Sequence, residues 1–258
     1  MVADNVERIS LKNSRGLRII GRLYKGSRKS CIVFCHGLRG EKSEWGNFER
    51  AIRTLNNAGY NVCTFDFSGS GESDDDSIAV YKWVDDFNSV LSYLRERGFA
   101  RFGLVGLSTG ALVALKSFNE GIKAMVLWAP ITNHLDWQVN LSREQLEELR
   151  VKGSLTELAY IGIKKEIVLD AKLYDEIGSI NQKQLLSRIG MEVLIIHGYN
   201  DTKVPVEHSV KALEYLPQDS KLEIIVGADH LLHKFFTGES ADELVDSTLE
   251  WFLKRLTD

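Results

Sequence analysis

Short apolar runs and helix-length amphipathic segments alternate along most of this chain. Residues 19–24, 30–35, 61–66, 102–106, 124–129, 192–197 and 221–226 are rich in Val, Ile, Leu and Phe. Each run is bounded by Gly, Asn, Asp or Ser, the pattern of strands set between turns. The later runs are continuously apolar rather than alternating, as expected of strands covered on both faces. Between them lie segments of helical length at about 44–58, 79–97, 109–119, 205–216 and 240–256. The last opens on Ser240 and Glu243 with capping-box spacing. It then sets Leu244, Leu249, Phe252, Leu253 and Leu256 on one side. Repeated strand–helix alternation predicts an α/β fold with a mostly parallel central sheet and helices on both faces. The first two runs, close together in the chain, are expected to pair as an antiparallel edge.

One segment breaks the rhythm. Residues 131–185 show no convincing strand and read as helical, with LSREQLEELR followed by TELAYIGIKKEIVLDAKLYDEI. A gap of that length exceeds an ordinary crossover. The segment is therefore expected to be a short helical cap or lid inserted into a core made of residues 1–130 and 186–258.

Composition narrows the function classes. With 258 residues, 44% hydrophobic and 26% charged, the chain has the balance of an ordinary globular protein with a sizeable core. A net charge of −4 without any basic run gives no footprint for nucleic acid. No apolar stretch approaches the roughly 20 residues that span a bilayer, and the N-terminus lacks the basic-then-apolar pattern of a signal peptide. The cysteines number three, Cys31, Cys35 and Cys63, with no C-x-x-C spacing. That argues against a disulfide framework and suits a reducing, cytoplasmic setting.

The strongest chemical signal is Gly106-Leu107-Ser108-Thr109-Gly110, between the strand FGLVG and the helix ALVALKSF. A sharp strand-to-helix turn needs small flanking residues, and it lifts the serine hydroxyl above the sheet at the positive end of the helix. The bland alternative is a serine that merely caps the helix. A hydroxyl near neutral pH needs a base, and His230 follows the last strand in Gly227-Ala228-Asp229-His230. His233 is its nearest rival; His134, His197 and His208 read as solvated or structural. The imidazole needs a carboxylate to fix its tautomer. Asp201, in the loop 197–205 after the penultimate strand, is the candidate, with an N-cap or Asx turn as its ordinary alternative. Asp229, Asp170 and Asp175 are weaker. The backbone N–H groups of Thr109 and of Leu38, in His36-Gly37-Leu38-Arg39-Gly40, are the candidate oxyanion donors. Asp66-Phe67-Ser68-Gly69-Ser70-Gly71-Glu72-Ser73 lacks a Walker lysine, and Asp74-Asp75-Asp76 after it would repel phosphate. Neither nucleotide nor metal is expected there.

Taken together, Cys35-His36-Gly37-Leu38, the Asp66–Ser73 segment, Gly106-Leu107-Ser108-Thr109-Gly110, His197-Gly198 with Asp201 and Val204-Pro205, and Gly227-Ala228-Asp229-His230 resemble the α/β-hydrolase superfamily over residues 17–256. Within it, the chain is similar to the compact esterase and monoacylglycerol-lipase-like branch, including cinnamoyl (feruloyl) esterases. The chain departs from that branch at Leu107 and Thr109, where His and a polar or small residue are frequent, and at Ser68, where Arg is common. The resemblance implies an esterase acting through an acyl-enzyme, with Ser108 as nucleophile, His230 as base, Asp201 as orienting acid, and no cofactor or metal. Ile131, Leu135, Trp128 and Trp137 are candidate pocket lining. The partners expected are a small-molecule ester and, at most, a second copy of the chain. A serine aminopeptidase or thioesterase, or a non-catalytic binding protein of the same fold, are the alternatives. A peptidase would draw on acidic residues such as Glu144, Glu147 and Glu148.

Overall fold

The computed structural model describes residues 5–158, 166–232 and 239–257. Eight strands form the main sheet: β1 (Val6–Lys12), β2 (Arg18–Tyr24), β3 (Cys31–Cys35), β4 (Asn61–Phe65), β6 (Phe102–Leu107), β7 (Ile122–Trp128), β10 (Val193–Gly198) and β11 (Lys221–Ile225). Their spatial order is β1-β2-β4-β3-β6-β7-β10-β11. Only β2 runs against its neighbours; every other pairing in this sheet is parallel.

The continuous apolar runs have the cause the sequence suggested. In β3, Cys31, Val33 and Cys35 face one layer of helices while Ile32 and Phe34 face the other. In β10, Val193 and Ile195 divide from Leu194 and Ile196 in the same way. Strand geometry sends successive side chains to opposite faces, so strands of a sheet covered twice are apolar at nearly every position. One cover is α2 (Val80–Glu96) and α3 (Thr109–Lys116); the other is α1 (Glu49–Asn57) and α8 (Glu239–Arg255). On α2, Val80, Trp83, Phe87, Val90, Leu91 and Leu94 are buried at helical spacing.

Several expectations need correction. The antiparallel edge is made by β1 and β2, not by the runs 19–24 and 30–35; β3 lies two places away from β2, beyond β4. Strand β1 escapes a sequence reading because Ile9 is its one buried residue, leaving almost no apolar pattern. Helix α8 starts at Glu239, so Ser240 falls inside it rather than before it. Its core face includes Trp251, whereas Leu253 is turned to solvent.

The segment between β7 and β10 is not all helical. It contains α4 (Arg143–Lys152), α5 (Ala171–Gly178) and α6 (Gln182–Leu186), but also β8 (Ser154–Leu158) and β9 (Glu166–Asp170), paired antiparallel. Strand β9 also pairs with a two-residue strand, β5 (Ser77–Ile78), making a second small sheet. Strands β8 (SLTEL) and β9 (EIVLD) are only five residues long, too short for their pattern to stand out from the helix-like stretch around them. Their pairing with each other, the pairing of β9 with β5 far along the chain, and the burial of Leu155, Ile167 and Leu169 decide their conformation. The second half of the stretch read as a helix crosses residues 159–165, outside the described residues.

Asp170 caps α5 and bonds to Ser77 Oγ and Lys82 Nζ, and Glu176 accepts the N–H groups of Val80 and Tyr81. These bonds tie the segment to the start of α2. Among the described residues no helix is long and apolar enough to cross a membrane. The three cysteines are free and buried.

Candidate active site

Ser108 sits at the junction of β6 and α3 with φ 54° and ψ −117°, a conformation that is strained for a residue bearing a Cβ. Such strain costs of order 1–3 kcal/mol and persists only where the surroundings over-determine it. Here the Ser108 N–H donates to Trp128 O on β7, and its carbonyl accepts from Ala111 and Leu112 at the start of α3. The turn also needs Gly110: a Cβ there would lie 2.3 Å from Cys35 O and 2.4 Å from His36 O. The serine side chain makes no capping bond to the helix it precedes. Instead its Oγ lies 2.9 Å from His230 Nε2.

The other ring nitrogen, His230 Nδ1, is 2.7 Å from Asp201 Oδ2. A carboxylate only accepts, so Nδ1 carries the proton and the Nε2 lone pair faces the serine hydroxyl. Asp201 also makes the Asx-type turn that a loop aspartate favours, since its Oδ1 accepts from the N–H groups of Lys203 and Val204. It does both jobs with different oxygens. Burial alone would raise its pKa. Bonds from His197 and His230, the charge of His230 and the Val204 N–H outweigh burial and hold it well below the usual carboxylate range. The loops bearing the acid and the base are zipped together by Tyr199 N–H to Ile225 O and Asn200 N–H to Ala228 O. Gly198 permits that approach, because a Cβ there would meet Asp229 O at 2.4 Å.

The loop after β3 passes over the serine: a Cβ on Gly37 would lie 3.6 Å from Ser108 Cβ. Two buried side chains clamp it. Glu44 Oε2 accepts the Gly37 N–H at 2.8 Å, and the His36 ring bonds Gly37 O at 2.8 Å through Nδ1. Because Phe67 N–H donates to His36 Nε2, the proton of this neutral ring is on Nδ1; burial holds its pKa down. The Gly37 carbonyl and the Leu38 N–H belong to one trans peptide and point in opposite directions. By holding the carbonyl, His36 turns the Leu38 amide away from itself. The Thr109 amide is the first of α3 and has no partner within the helix. Burial, with the charge of Glu41 adding to it, pushes Glu44 up to about 8 against the Gly37 N–H. Arg39 continues the loop and forms an ion pair with Glu157 on β8.

Residues 32–247 match the alpha/beta hydrolase family. This chain belongs to it. The α/β hydrolase is 25% identical over 232 residues to a candidate esterase/lipase of Mycoplasma genitalium, covering 80% of this chain and 84% of that relative. Its fold is similar to a monoacylglycerol lipase of Paleococcus ferrophilus, with TM-score 0.74 at 20% identity over 92% of this chain and 98% of the other. It is also similar to Est1E of Butyrivibrio proteoclasticus, solved with ferulic acid bound, with TM-score 0.76 at 20% identity over 96% and 99% of the two chains.

Other residues singled out in the sequence of this hydrolase lie apart from the Ser108–His230–Asp201 chain. Asp229 turns to the Leu231 N–H, Asp175 is exposed, and His134 is exposed beside Asn133. His208 is half-buried rather than solvated, and burial holds its pKa down. His233 lies outside the described residues. Trp128 packs edge-on against Phe34 and Phe48 in the core, and Ile131 is buried with Leu135 and Trp137 packed nearby. The glycine-bearing loop after β4 wraps a carboxylate of its own chain. Asp66 accepts from Lys42 and from the Glu72 N–H, while Asp74 pairs with Arg18 and Asp76 with Arg15 and Lys82. His36 and Glu44 escaped the sequence reading, and His197 was read there as a strand-end residue with no link to Asp201. A histidine ahead of a glycine at a strand end, twice in the chain, was the available signal.

Proposed function

We propose that this hydrolase cleaves carboxylic esters through an acyl-enzyme. Ser108 Oγ attacks the ester carbonyl carbon as His230 Nε2 takes the hydroxyl proton. The tetrahedral oxyanion accepts from the Leu38 and Thr109 N–H groups, and the alcohol leaves with the proton from His230. Water then enters by the same route and releases the acid and Ser108. Asp201 holds the ring tautomer and stabilises the imidazolium. The observation that carries this reading is the unbroken bond path from a strained, uncapped serine to a buried carboxylate.

Residues 131–185 are proposed as a cap on the core of residues 1–130 and 186–258, supplying the acyl or alcohol pocket. The esterase and lipase names among relatives favour an ester over an amide. Glu144, Glu147 and Glu148, which a peptidase would need for a substrate amine, are on a solvated helix, with Glu147 paired to Arg150 and Glu148 to Lys152. The test is fluorophosphonate labelling of wild type and Ser108→Ala, with p-nitrophenyl esters of increasing acyl length and methyl ferulate. Labelling confined to the wild type, with turnover graded by acyl length, is expected. Equal labelling of the two proteins, or turnover of aminoacyl amides and no ester, would overturn the reading.

A further inference from the structure

Asp201 serves two histidines, not one. Its Oδ2, which bonds His230 Nδ1 at 2.7 Å, lies 3.0 Å from His197 Nε2. The same His197 nitrogen is 3.0 Å from Val204 O, and its Nδ1 is 2.7 Å from Ser209 Oγ on α7 (Val206–Ala212). Both partners of Nε2 are acceptors, so Nε2 carries the proton and gives it to Asp201 and Val204. Nδ1 then accepts the Ser209 hydroxyl. A carboxylate thus joins two arms, Ser108–His230 on one side and Ser209–His197 on the other.

The second arm is sealed: Ser209 and His197 are both fully buried, whereas His230 is partly open. No substrate can reach it, so it is no second catalytic centre. What it does is fill the acid. An ionised carboxylate has about four acceptor sites. Lys203 N–H, Val204 N–H, His197 and His230 occupy them. The carboxylate is left with no freedom to rotate. The negative charge that would stabilise a His230 imidazolium is shared with a second donor on the same oxygen.

We infer that His197 is a positioning residue that locks Asp201 and tempers its pull on His230, setting how far into acid the enzyme stays active. This rests on the proposed roles of Ser108, His230 and Asp201. Removing the His197 donor leaves Asp201 a stronger partner for the His230 imidazolium. The acid limb of activity should then move up.

Other titratable groups lie near. His208 and Glu207 are on α7, with His208 sensing His197. Lys203 and Asp229 are in the two loops. They are common to every variant below and cannot account for a difference between them.

The experiment measures the rate of fluorophosphonate labelling of Ser108, and kcat/KM for a p-nitrophenyl ester, against pH. The proteins are wild type, His197→Phe, His197→Gln and Ser209→Ala. Gln keeps an N–H donor near the Nε2 position; Phe keeps the ring and loses the donor. For His197→Phe the acid limb should rise by roughly half to one pH unit, with kcat lowered and KM unchanged. His197→Gln and Ser209→Ala, which keep a donor to Asp201, should hold the wild-type limb.

A wild type that labels at Ser108 while all four acid limbs coincide overturns the inference and spares the hydrolase reading. Equal upward shifts in Phe and Gln also overturn it, since loss of packing would then suffice. A wild type unlabelled at Ser108 at every pH defeats both. Should His197→Phe not fold, His197→Met, which also lacks the donor, takes its place: an acid limb raised there with wild-type limbs in His197→Gln and Ser209→Ala supports the inference, and a wild-type limb in His197→Met overturns it.

Discussion

Replacing Glu44 by glutamine should change how stability depends on pH, and the structure sets the size of the effect. Glu44 is 1% exposed, and its carboxyl is pushed up from 4.5 to about 8, chiefly by burial. A carboxyl with a raised pKa binds its proton more tightly folded than unfolded. The stability it lends is complete below about 4.5 and is lost as pH climbs through about 8. At roughly 1.36 kcal/mol per pH unit, that gap makes the wild type about 5 kcal/mol less stable at pH 9 than at pH 4 through this group alone, and about 3 kcal/mol less at pH 7. Glutamine is neutral, and its carbonyl oxygen can keep the Gly37 N–H that Glu44 accepts. Urea unfolding of both proteins at closely spaced pH from about 4 to 9, followed by tryptophan fluorescence, gives the difference directly. Glu44→Gln should gain on the wild type as pH rises, with most of the gain between about 5 and 8. Because Gly37 adjoins the Leu38 amide, an ionised Glu44 should also depress activity on the alkaline side, and the variant should lack that decline. A stability difference constant across the whole range would refute the assignment.

Asp201→Asn should lower kcat/KM for a p-nitrophenyl ester by about 10⁴ through the wrong imidazole tautomer, with KM little changed; a loss below tenfold would remove the aspartate from its proposed role. Gly110→Ala puts a Cβ 2.3 Å from Cys35 O, so melting temperature and ester turnover should both fall sharply, and an unchanged melting curve would contradict the packing described. Lys42 pairs with the fully buried Asp66 and with Glu72 at 2.8 Å each. Lys42→Met should cost about 3–5 kcal/mol in urea unfolding by leaving a buried charge exposed to no partner cation, while adding Asp66→Asn should recover a large part. No recovery in the double variant would show that the charge is not the cause.

Some of this was written locally in the chain. Strands covered on both faces are apolar at most positions, and β3, β6 and β10 were visible because two layers of helices cover them. Ser108 was visible because a strand, a tight turn and a helix are each local, and the glycines around it answer to close backbone contacts. Asp201 and His230 could be put forward as candidates because they follow the last two strands, on loops that the structure joins. The sequence could not show that Asp201 fills both an Asx turn and a bond to the imidazole, since those use different oxygens of one side chain.

What the chain determined alone was therefore the alternation of elements and the residue types at loop ends. Tertiary structure decided the rest. Strands β1, β8 and β9 hold few buried residues and take their conformation from pairing with other strands, in β9 also with β5 far along the chain. His36, Glu44 and His197 act through bonds to a neighbouring peptide or carboxylate, and their protonation depends on burial. Pairing across a sheet, desolvation and the filling of a carboxylate's acceptor sites are properties of assembled neighbours, so no local pattern could carry them.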